Sequence, residues 1–359
     1  MIGKNTFTKE WIETVSHQVG RGKKNADPGL IEKVTKALLL LEELAKSDLT
    51  FIFKGGTSLL LLLNRMHRFS IDIDIIVDPM MQNADVGEIL RKVVINSDVF
   101  SHFEENQRVQ GGVPKAHYKV FYQSVLDGET NYILLDVLFE KNCYDHLVEK
   151  SIRCSLADYS DPDIKVTVPS VDCILADKLT AFAPNTTGIP YGKNKELEII
   201  KQLFDVGNLF DEMKDLNVVG STFRRMAVQE LVYRDRGEAF TFENVLDDIF
   251  QTSRILSERG RIEGHTFQLL QTGVNRIKDY IFSRNYILES AINSASKAAY
   301  LALLLKNEIY DVERFDPKVD LRELVIENKD FIKFRTILKF DPEAYFYWYK
   351  CVEIINDKP

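Results

Sequence analysis

Residues 49–77 read LTFIFKGGTSLLLLLNRMHRFSIDIDIIV and contain two strand patterns around a pair of glycines. Residues 49–54 are rich in β-branched and aromatic residues and stop at Gly55-Gly56, and the apolar run that follows is typical of a buried helix. In residues 68–77, isoleucines alternate with a serine and two aspartates, which predicts a strand with one apolar and one acidic face. The simplest interpretation is strand, glycine turn, helix, strand.

The acidic face of the second strand carries Asp72 and Asp74. Side chains two positions apart on a strand point to the same face, so these two carboxylates can converge on a hard divalent cation. Asp136 lies in the apolar run NYILLDVLFE at 131–140, where a carboxylate is costly to bury unless a metal or a partner compensates it. We therefore expect all three aspartates to bind Mg²⁺, with Mn²⁺ as the alternative ion.

Each of these features also has a simpler explanation. An Asp-x-Asp strand can be an ordinary solvated face, Asp136 can reach solvent from a strand end, and Thr57 can cap the helix after a tight turn. The ordered combination of a glycine turn, Asp-x-Asp and a later isolated aspartate favours a functional site. In that interpretation the Gly55-Gly56 amides and the Thr57 hydroxyl bind phosphate at a helix N-terminus.

Composition excludes several classes of protein. The 359 residues include 46 Lys and Arg against 54 Asp and Glu, which gives a net charge of −8 and excludes a protein that coats nucleic acid by bulk attraction. The chain has no Cys-x-x-Cys pair, no Walker motif and no Gly-x-Gly-x-x-Gly, so a structural zinc site, a P-loop and a dinucleotide fold lose support. Without a signal peptide or an apolar run of ~20 residues, we expect a cytoplasmic protein with no membrane partner.

The pattern of periodicities changes near Pro169. Before it, a helix capped by Asp27-Pro28, a further helix at 84–95, a hairpin at 118–139 and a short strand at 164–168 accompany the two strands above. After it, helical periods dominate, at roughly 170–182, 194–213, 219–236, 242–258, 266–283, 287–306 and 343–356. The sequence therefore predicts an α+β fold in residues 1–169 and an all-helical domain in residues 170–359.

The motifs FKGGTSL at 53–59 and RFSIDID at 68–74 resemble the signature of the AbiEii/AbiGii-type nucleotidyltransferase toxins, which belong to the DNA polymerase β-like superfamily. The resemblance covers roughly residues 28–210. It implies a nucleotidyltransferase core, with a mixed sheet and flanking helices, followed by a helical domain that closes over the active-site cleft. It also implies transfer of a nucleoside monophosphate from an NTP to an acceptor hydroxyl, in a toxin–antitoxin or phage-defence system with a cognate antitoxin.

The resemblance assigns catalytic roles to five residues. Asp72 and Asp74 would hold Mg²⁺ on the triphosphate, while Asp136 would share a second ion and orient the attacking hydroxyl. Lys178, in DCILADKL at 172–179, would neutralise charge on the leaving pyrophosphate, and Asp205, in KQLFDV at 201–206, would position Lys178 or the base. The family usually has Arg-Asp where this chain has Lys201-Gln202, so the contribution of that helix is less well defined.

Further residues are expected to contact substrate. Besides Gly55, Gly56 and Thr57 at the phosphates, these are Lys54, Arg68, Ser70, Lys193 and Lys201. Clustered arginines suit contacts with an RNA phosphate backbone, namely Arg224, Arg225, Arg234, Arg236, Arg254, Arg259 and Arg261. The resemblance implies a tRNA end as the acceptor, with protein as the alternative.

Two other functions compete with this prediction. A haloacid-dehalogenase-type phosphohydrolase also uses Asp-x-Asp, but Arg68-Phe69-Ser70 precedes the motif here instead of a long apolar strand. A nucleotidyltransferase fold could also serve as a nucleotide-binding module or antitoxin partner without catalysis. Three convergent aspartates argue against that alternative, because a pure binder does not require them. The sequence does not distinguish among ATP, GTP, CTP and UTP.

Overall fold

The computed structural model describes residues 1–20, 25–65, 67–105, 113–282 and 284–357. The chain forms two compact units, one made of Met1–Ser170 with Asp279–Asn285 and the other of Val171–Lys278 with Tyr286–Pro359. The first unit is α+β and the second is helical. The α+β fold class predicted from the sequence is confirmed.

The first unit contains four α-helices and seven strands within its described residues. The helices are α1 (Lys9–Val19), α2 (Pro28–Lys46), α3 (Gly55–Leu62) and α4 (Asn83–Asn96), and the strands are β1 (Ile52–Lys54), β2 (Ile73–Val77), β3 (Phe100–Glu105), β4 (Lys115–Gln123), β5 (Thr130–Phe139), β6 (Leu147–Ser151) and β7 (Lys165–Pro169). Helix α2 begins as its sequence predicts, because the Asp27 carboxylate accepts hydrogen bonds from the backbone N–H groups of Gly29 and Leu30.

The main sheet has five strands in the order β1-β2-β5-β4-β3. Strands β2 and β5 run parallel and the other neighbouring pairs are antiparallel, so the predicted mixed sheet is confirmed. Strands β6 and β7 form a separate antiparallel pair. The apolar core of the unit includes buried residues of α2, β2, β4 and β5.

The sequence analysis did not predict two of the strands. Strand β3 reads FSHFEE and strand β6 reads LVEKS, and most of their side chains are exposed or half-buried. Neither segment has the apolar alternation that marks a half-buried strand. Each is a strand because a neighbouring strand supplies its hydrogen bonds, which local sequence does not reveal.

The second unit contains seven α-helices within its described residues. They are α5 (Val171–Ala181), α6 (Glu196–Glu212), α7 (Leu216–Tyr233), α8 (Phe242–Ser257), α9 (Gly264–Arg276), α10 (Leu288–Lys306) and α11 (Pro342–Asn356). Helix α10 packs against α6, α8 and α11, and its run of alanines and leucines is buried from Ala298 to Leu305. It is the central helix of this unit because its sides are apolar nearly all round.

The predicted helix at 266–283 is shorter in the structure, where α9 ends at Arg276; Ser283 lies outside the described residues. The segment Asp279–Asn285 groups with the first unit. There the Phe69 N–H donates to the Tyr280 carbonyl over 2.8 Å, and the rings of Phe69 and Phe282 lie 4.6 Å apart. Pairing with the chain just before β2 therefore replaces the last turns of the expected helix.

Among the described residues, no helix is both long enough and apolar enough to cross a membrane.

Candidate active site

A row of four polar side chains crosses the main sheet. Lys54 on β1 is the register partner of Asp74 on β2, Asp74 is the partner of Asp136 on β5, and Asp136 is the partner of His117 on β4. Register partners on neighbouring strands point to the same face, so these four side chains, which we call the polar row, share one face of the sheet.

The rows on either side of the polar row are apolar and point to the opposite face. One contains Ile73, Leu135 and Tyr118, and the other contains Phe53, Ile75, Val137 and Ala116. All seven of these side chains are buried. The apolar face holds the sheet on the core, and this fixes the polar row on the face away from it.

Gly55 lies against Asp74. A Cβ atom at Gly55 would be 2.0 Å from the Asp74 Oδ2 atom, and the Gly55 φ angle is +78°. Both features require glycine, because a side chain would collide with the carboxylate and would strain the backbone. The glycine turn therefore brings the start of α3 directly onto the Asp74 carboxylate.

Gly56 makes a similar close approach to two other predicted site residues. A Cβ atom at Gly56 would lie 2.7 Å from Arg68 Nη2 and 2.7 Å from Ser70 Oγ. Arg68 is buried, with 8% of its surface exposed, and its Nη1 donates to the Phe69 carbonyl over 3.0 Å. The structure thus brings the two sequence motifs together, with the glycines of one against the polar side chains of the other.

Thr57 holds the backbone next to the aspartates. Its side chain is fully buried, and its hydroxyl donates to the carbonyl of Asp72 over 2.6 Å. The hydroxyl hydrogen is thus used within the protein, and the contact of Thr57 with phosphate stays a prediction. Asp72 itself is half-buried and precedes β2 by one residue.

His117 is the member of the polar row that the sequence analysis missed. Its Nδ1 lies 2.7 Å from Asp136 Oδ1, and its side chain is 7% exposed against 33% for Asp136. The only signal in the sequence was a histidine in a strand otherwise rich in apolar residues, which is commonly a core residue. The register of β4 on β5 is what makes it a neighbour of Asp136.

The polar row fits a divalent ion that arrives with its substrate. In the described residues, no group of three or more His, Cys, Asp or Glu side chains is arranged to hold a metal by itself. Mg²⁺, however, is usually bound by one or two carboxylates and completes its shell with waters and substrate phosphates. Asp74 and Asp136 supply two adjacent carboxylates, and the glycine turn leaves the space beside Asp74 free of a side chain.

A family model describes this combination of motifs. The model of the nucleotidyl transferase AbiEii toxin of type IV toxin–antitoxin systems matches residues 39–272, which is more than half of the chain. The chain belongs to the AbiEii family. It is therefore a nucleotidyltransferase of a toxin family, and family membership implies a nucleotide substrate and an antitoxin partner. AbiEii nucleotidyltransferases generally use divalent metal ions.

Solved structures similar to this AbiEii protein share little sequence identity with it. JHP933 from Helicobacter pylori has a TM-score of 0.45 and 13% identity, and the match covers 79% of this chain and 95% of that one. A putative nucleotidyltransferase from H. pylori has a TM-score of 0.41 and 14% identity over 78% and 94% of the two chains. An antigenic nucleotidyltransferase-like protein from Paracoccidioides brasiliensis has a TM-score of 0.36 and 14% identity over 58% and 94%. No curated protein matches.

Four residues that the sequence analysis assigned to the site belong to the second unit. Lys178 on α5 and Asp205 on α6 form a buried ion pair, with Nζ 3.4 Å from Oδ2 and side chains 8% and 2% exposed. Lys201 pairs with Glu198 over 3.0 Å, and Lys193 is exposed in the loop before α6. The catalytic roles of Lys178 and Asp205 stay predictions, but the pair that the family motif implies is present.

Most of the clustered arginines have partners within the second unit. Arg234 pairs with Glu230, Arg236 donates to the Asn185 and Thr186 carbonyls, and Arg259 pairs with Glu289. Arg224 and Arg225 are exposed and line a cavity of about 430 Å³ together with Phe242 and Tyr310. Arg224 also pairs with Glu308 over 3.6 Å and lies over the Phe242 ring. The RNA contact expected of these arginines stays a prediction.

Proposed function

We propose that this AbiEii protein transfers a nucleoside monophosphate from an NTP to a hydroxyl group of RNA, with a tRNA end as the favoured acceptor and Mg²⁺ as the ion. One observation carries the proposal. Asp74 and Asp136 are far apart in the sequence but are direct partners across β2 and β5. Gly55 lies against the Asp74 carboxylate on the same face of the sheet.

The chemical step is displacement at the α-phosphorus of the NTP. A bond forms between the acceptor oxygen and the α-phosphorus, the bond to the β-phosphate oxygen breaks, and pyrophosphate leaves. The acceptor hydroxyl loses its proton, which a carboxylate oxygen of Asp136 accepts directly or through water. When bound, Mg²⁺ supplies positive charge that offsets the charge of the phosphates.

The residues of the first unit have distinct parts in this proposal. Asp72 and Asp74 would hold the Mg²⁺ ion that accompanies the triphosphate, and the Gly55 and Gly56 amides bind the phosphate oxygens. Thr57 holds the Asp72 backbone in place through its hydrogen bond to the Asp72 carbonyl. Lys54, whose register partner is Asp74, and Arg68, which packs on Gly56, supply positive charge near the phosphates.

An RNA acceptor is supported by the exposed arginines of the second unit. Arg224 and Arg225 lie beside Phe242 and Tyr310, and arginines combined with aromatic rings suit phosphate contacts and base stacking. A toxin that modifies RNA in this way would inhibit growth, or act in phage defence, until its antitoxin blocks it. Since NTPs and tRNA are its substrates, we expect the reaction to take place in the cytoplasm.

The direct test is to incubate the purified chain with each α-labelled NTP, Mg²⁺ and either total RNA or total protein. We expect label in RNA from one or two of the four nucleotides. Label in protein would replace the RNA acceptor by a protein hydroxyl. Label in neither would contradict transfer and favour a nucleotide-binding module without catalysis.

A further inference from the structure

His117 is the β4 member of the polar row, and its imidazole is buried. Its Nδ1 is 2.7 Å from Asp136 Oδ1. Its Nε2 is buried and has no hydrogen-bond partner among the residues that the structure describes. The two nitrogens therefore have very different environments.

The hydrogen bond fixes the tautomer of the ring. An ionised carboxylate only accepts hydrogen bonds, so the Nδ1 hydrogen is donated to Asp136, and in the neutral ring Nε2 is then an acceptor. A buried acceptor without a partner costs free energy that an apolar side chain at this position would avoid. Packing alone consequently does not explain a histidine here, whereas a bond to Asp136 does.

Register explains why this donor matters. Asp136 lies on β5, with His117 beside it on β4 and Asp74 beside it on β2. A donor on the β4 side draws Oδ1 toward His117 and leaves the other oxygen for the β2 side, where Asp74 lies. Without the donor, two neighbouring carboxylates would repel each other and the Asp136 side chain could rotate away.

We propose that His117 is a positioning residue that orients the Asp136 carboxylate for the divalent ion and the acceptor hydroxyl. This inference rests on the proposed nucleotidyl transfer. His117 does not touch substrate in this role; it acts through Asp136, as partners of metal-binding carboxylates commonly do.

Two substitutions separate the donor from the size of the side chain. In His117→Asn the amide nitrogen can occupy the place of Nδ1 and donate to Asp136. In His117→Gln the amide reaches the place of Nε2 instead, so the bond to Asp136 is lost while a polar side chain is retained. His117→Ala provides the same loss of donor if the longer glutamine prevents folding.

The measurements are Mn²⁺ affinity, by titration calorimetry in a mixture of α,β-methylene analogues of the four NTPs, and the rate of label transfer. We expect His117→Gln to weaken Mn²⁺ binding and to lower kcat, each by about 10- to 100-fold. His117→Asn should stay within about threefold of the unmodified protein, a margin small beside that loss. If His117→Gln and His117→Asn have the same Mn²⁺ affinity and the same kcat, or if His117→Gln keeps full Mn²⁺ affinity, the positioning role is wrong.

Asp74→Asn and Asp136→Asn distinguish this inference from the proposed function. If both variants lose Mn²⁺ affinity and transfer while His117→Gln keeps them, the inference about His117 is wrong and the proposed function stands. If both keep Mn²⁺ affinity and transfer, these aspartates are not the site, and the inference about His117 fails with them. The proposed function is wrong only if the unmodified protein transfers no label to RNA. If Asp74→Asn, Asp136→Asn and His117→Gln all lose Mn²⁺ affinity and transfer while His117→Asn keeps them, the results support both the proposed function and the inference about His117.

Discussion

Asp74 lies directly opposite Asp136 in the parallel pair of β2 and β5, so two carboxylates occupy neighbouring positions on one face of the sheet. Both are only partly buried, and uncompensated like charges in such positions destabilise a sheet. Lys54 and His117 at the two ends of the polar row offset part of this repulsion. A divalent ion bound by both carboxylates would also offset it, and for that reason this pair is the centre of the proposed site.

Substitution of either aspartate should abolish transfer. We expect Asp74→Asn or Asp136→Asn to reduce the rate of label transfer about 1,000-fold or more, since stabilisation of phosphate charge at such sites is worth several kcal/mol. Asp98→Asn is the matched control, because Asp98 lies in the same unit and is 88% exposed. Transfer near the unmodified rate in Asp74→Asn would contradict the site.

The glycine turn gives a test that combines activity and stability. In Gly55→Ala the new Cβ would lie 2.0 Å from Asp74 Oδ2, so we expect the carboxylate to be displaced and transfer to be lost. The backbone should also be strained by about 1–2 kcal/mol, because the Gly55 φ angle is positive.

Gly128→Ala separates the two effects in Gly55→Ala. Gly128 has a φ angle of +77°, but a Cβ atom at this position would point into open space, with no neighbouring group within 4 Å. This variant therefore carries the strain without the collision. We expect both variants to lower the denaturant midpoint, and only Gly55→Ala to lose transfer. Equal transfer rates in the two variants would show that the contact with Asp74 is unimportant.

The buried pair of Lys178 and Asp205 should stabilise the second unit whether or not it is catalytic. Removing one partner by Lys178→Met leaves the other charge buried, and we expect a loss of about 3–5 kcal/mol of unfolding free energy in urea. Replacing both, with Lys178→Met and Asp205→Leu, should recover part of this loss. Lys4→Met, which removes an exposed pair with Asp98, should leave the urea midpoint unchanged.

RNA contact by Arg224 and Arg225 predicts a dependence on salt. Replacing both with alanine should weaken RNA binding about equally for different sequences and reduce the slope of log affinity against log salt by about 1–2, because each phosphate contact contributes about 0.7 for a single strand. Arg322→Ala is a suitable control, since Arg322 is exposed in the same unit and pairs with Asp320. An unchanged slope in the double variant would exclude this surface as the RNA contact.

Much of the local structure could be predicted from the sequence. Helix α2, the β4–β5 hairpin and the helical second half were expected close to their observed positions, because caps, turn residues and apolar periodicity are local signals. The family was also predictable, because its glycine and Asp-x-Asp motifs lie within 22 consecutive residues, 53–74. Strands β3 and β6 were missed, since their partners and not their own side chains make them strands.

In the candidate site, too, some features could be predicted from the sequence and others depend on how the strands pair. The sequence by itself was enough to predict which acids and glycines form the proposed site, because residue type and close spacing can be read directly from the chain. Only the tertiary structure decided that Asp136 sits beside Asp74, that His117 bonds to Asp136 and that the Thr57 hydroxyl is used on the Asp72 carbonyl. The physical reason is strand register: a shift of one residue between strands would turn every side chain to the other face, and register is set by packing of the whole sheet on its core.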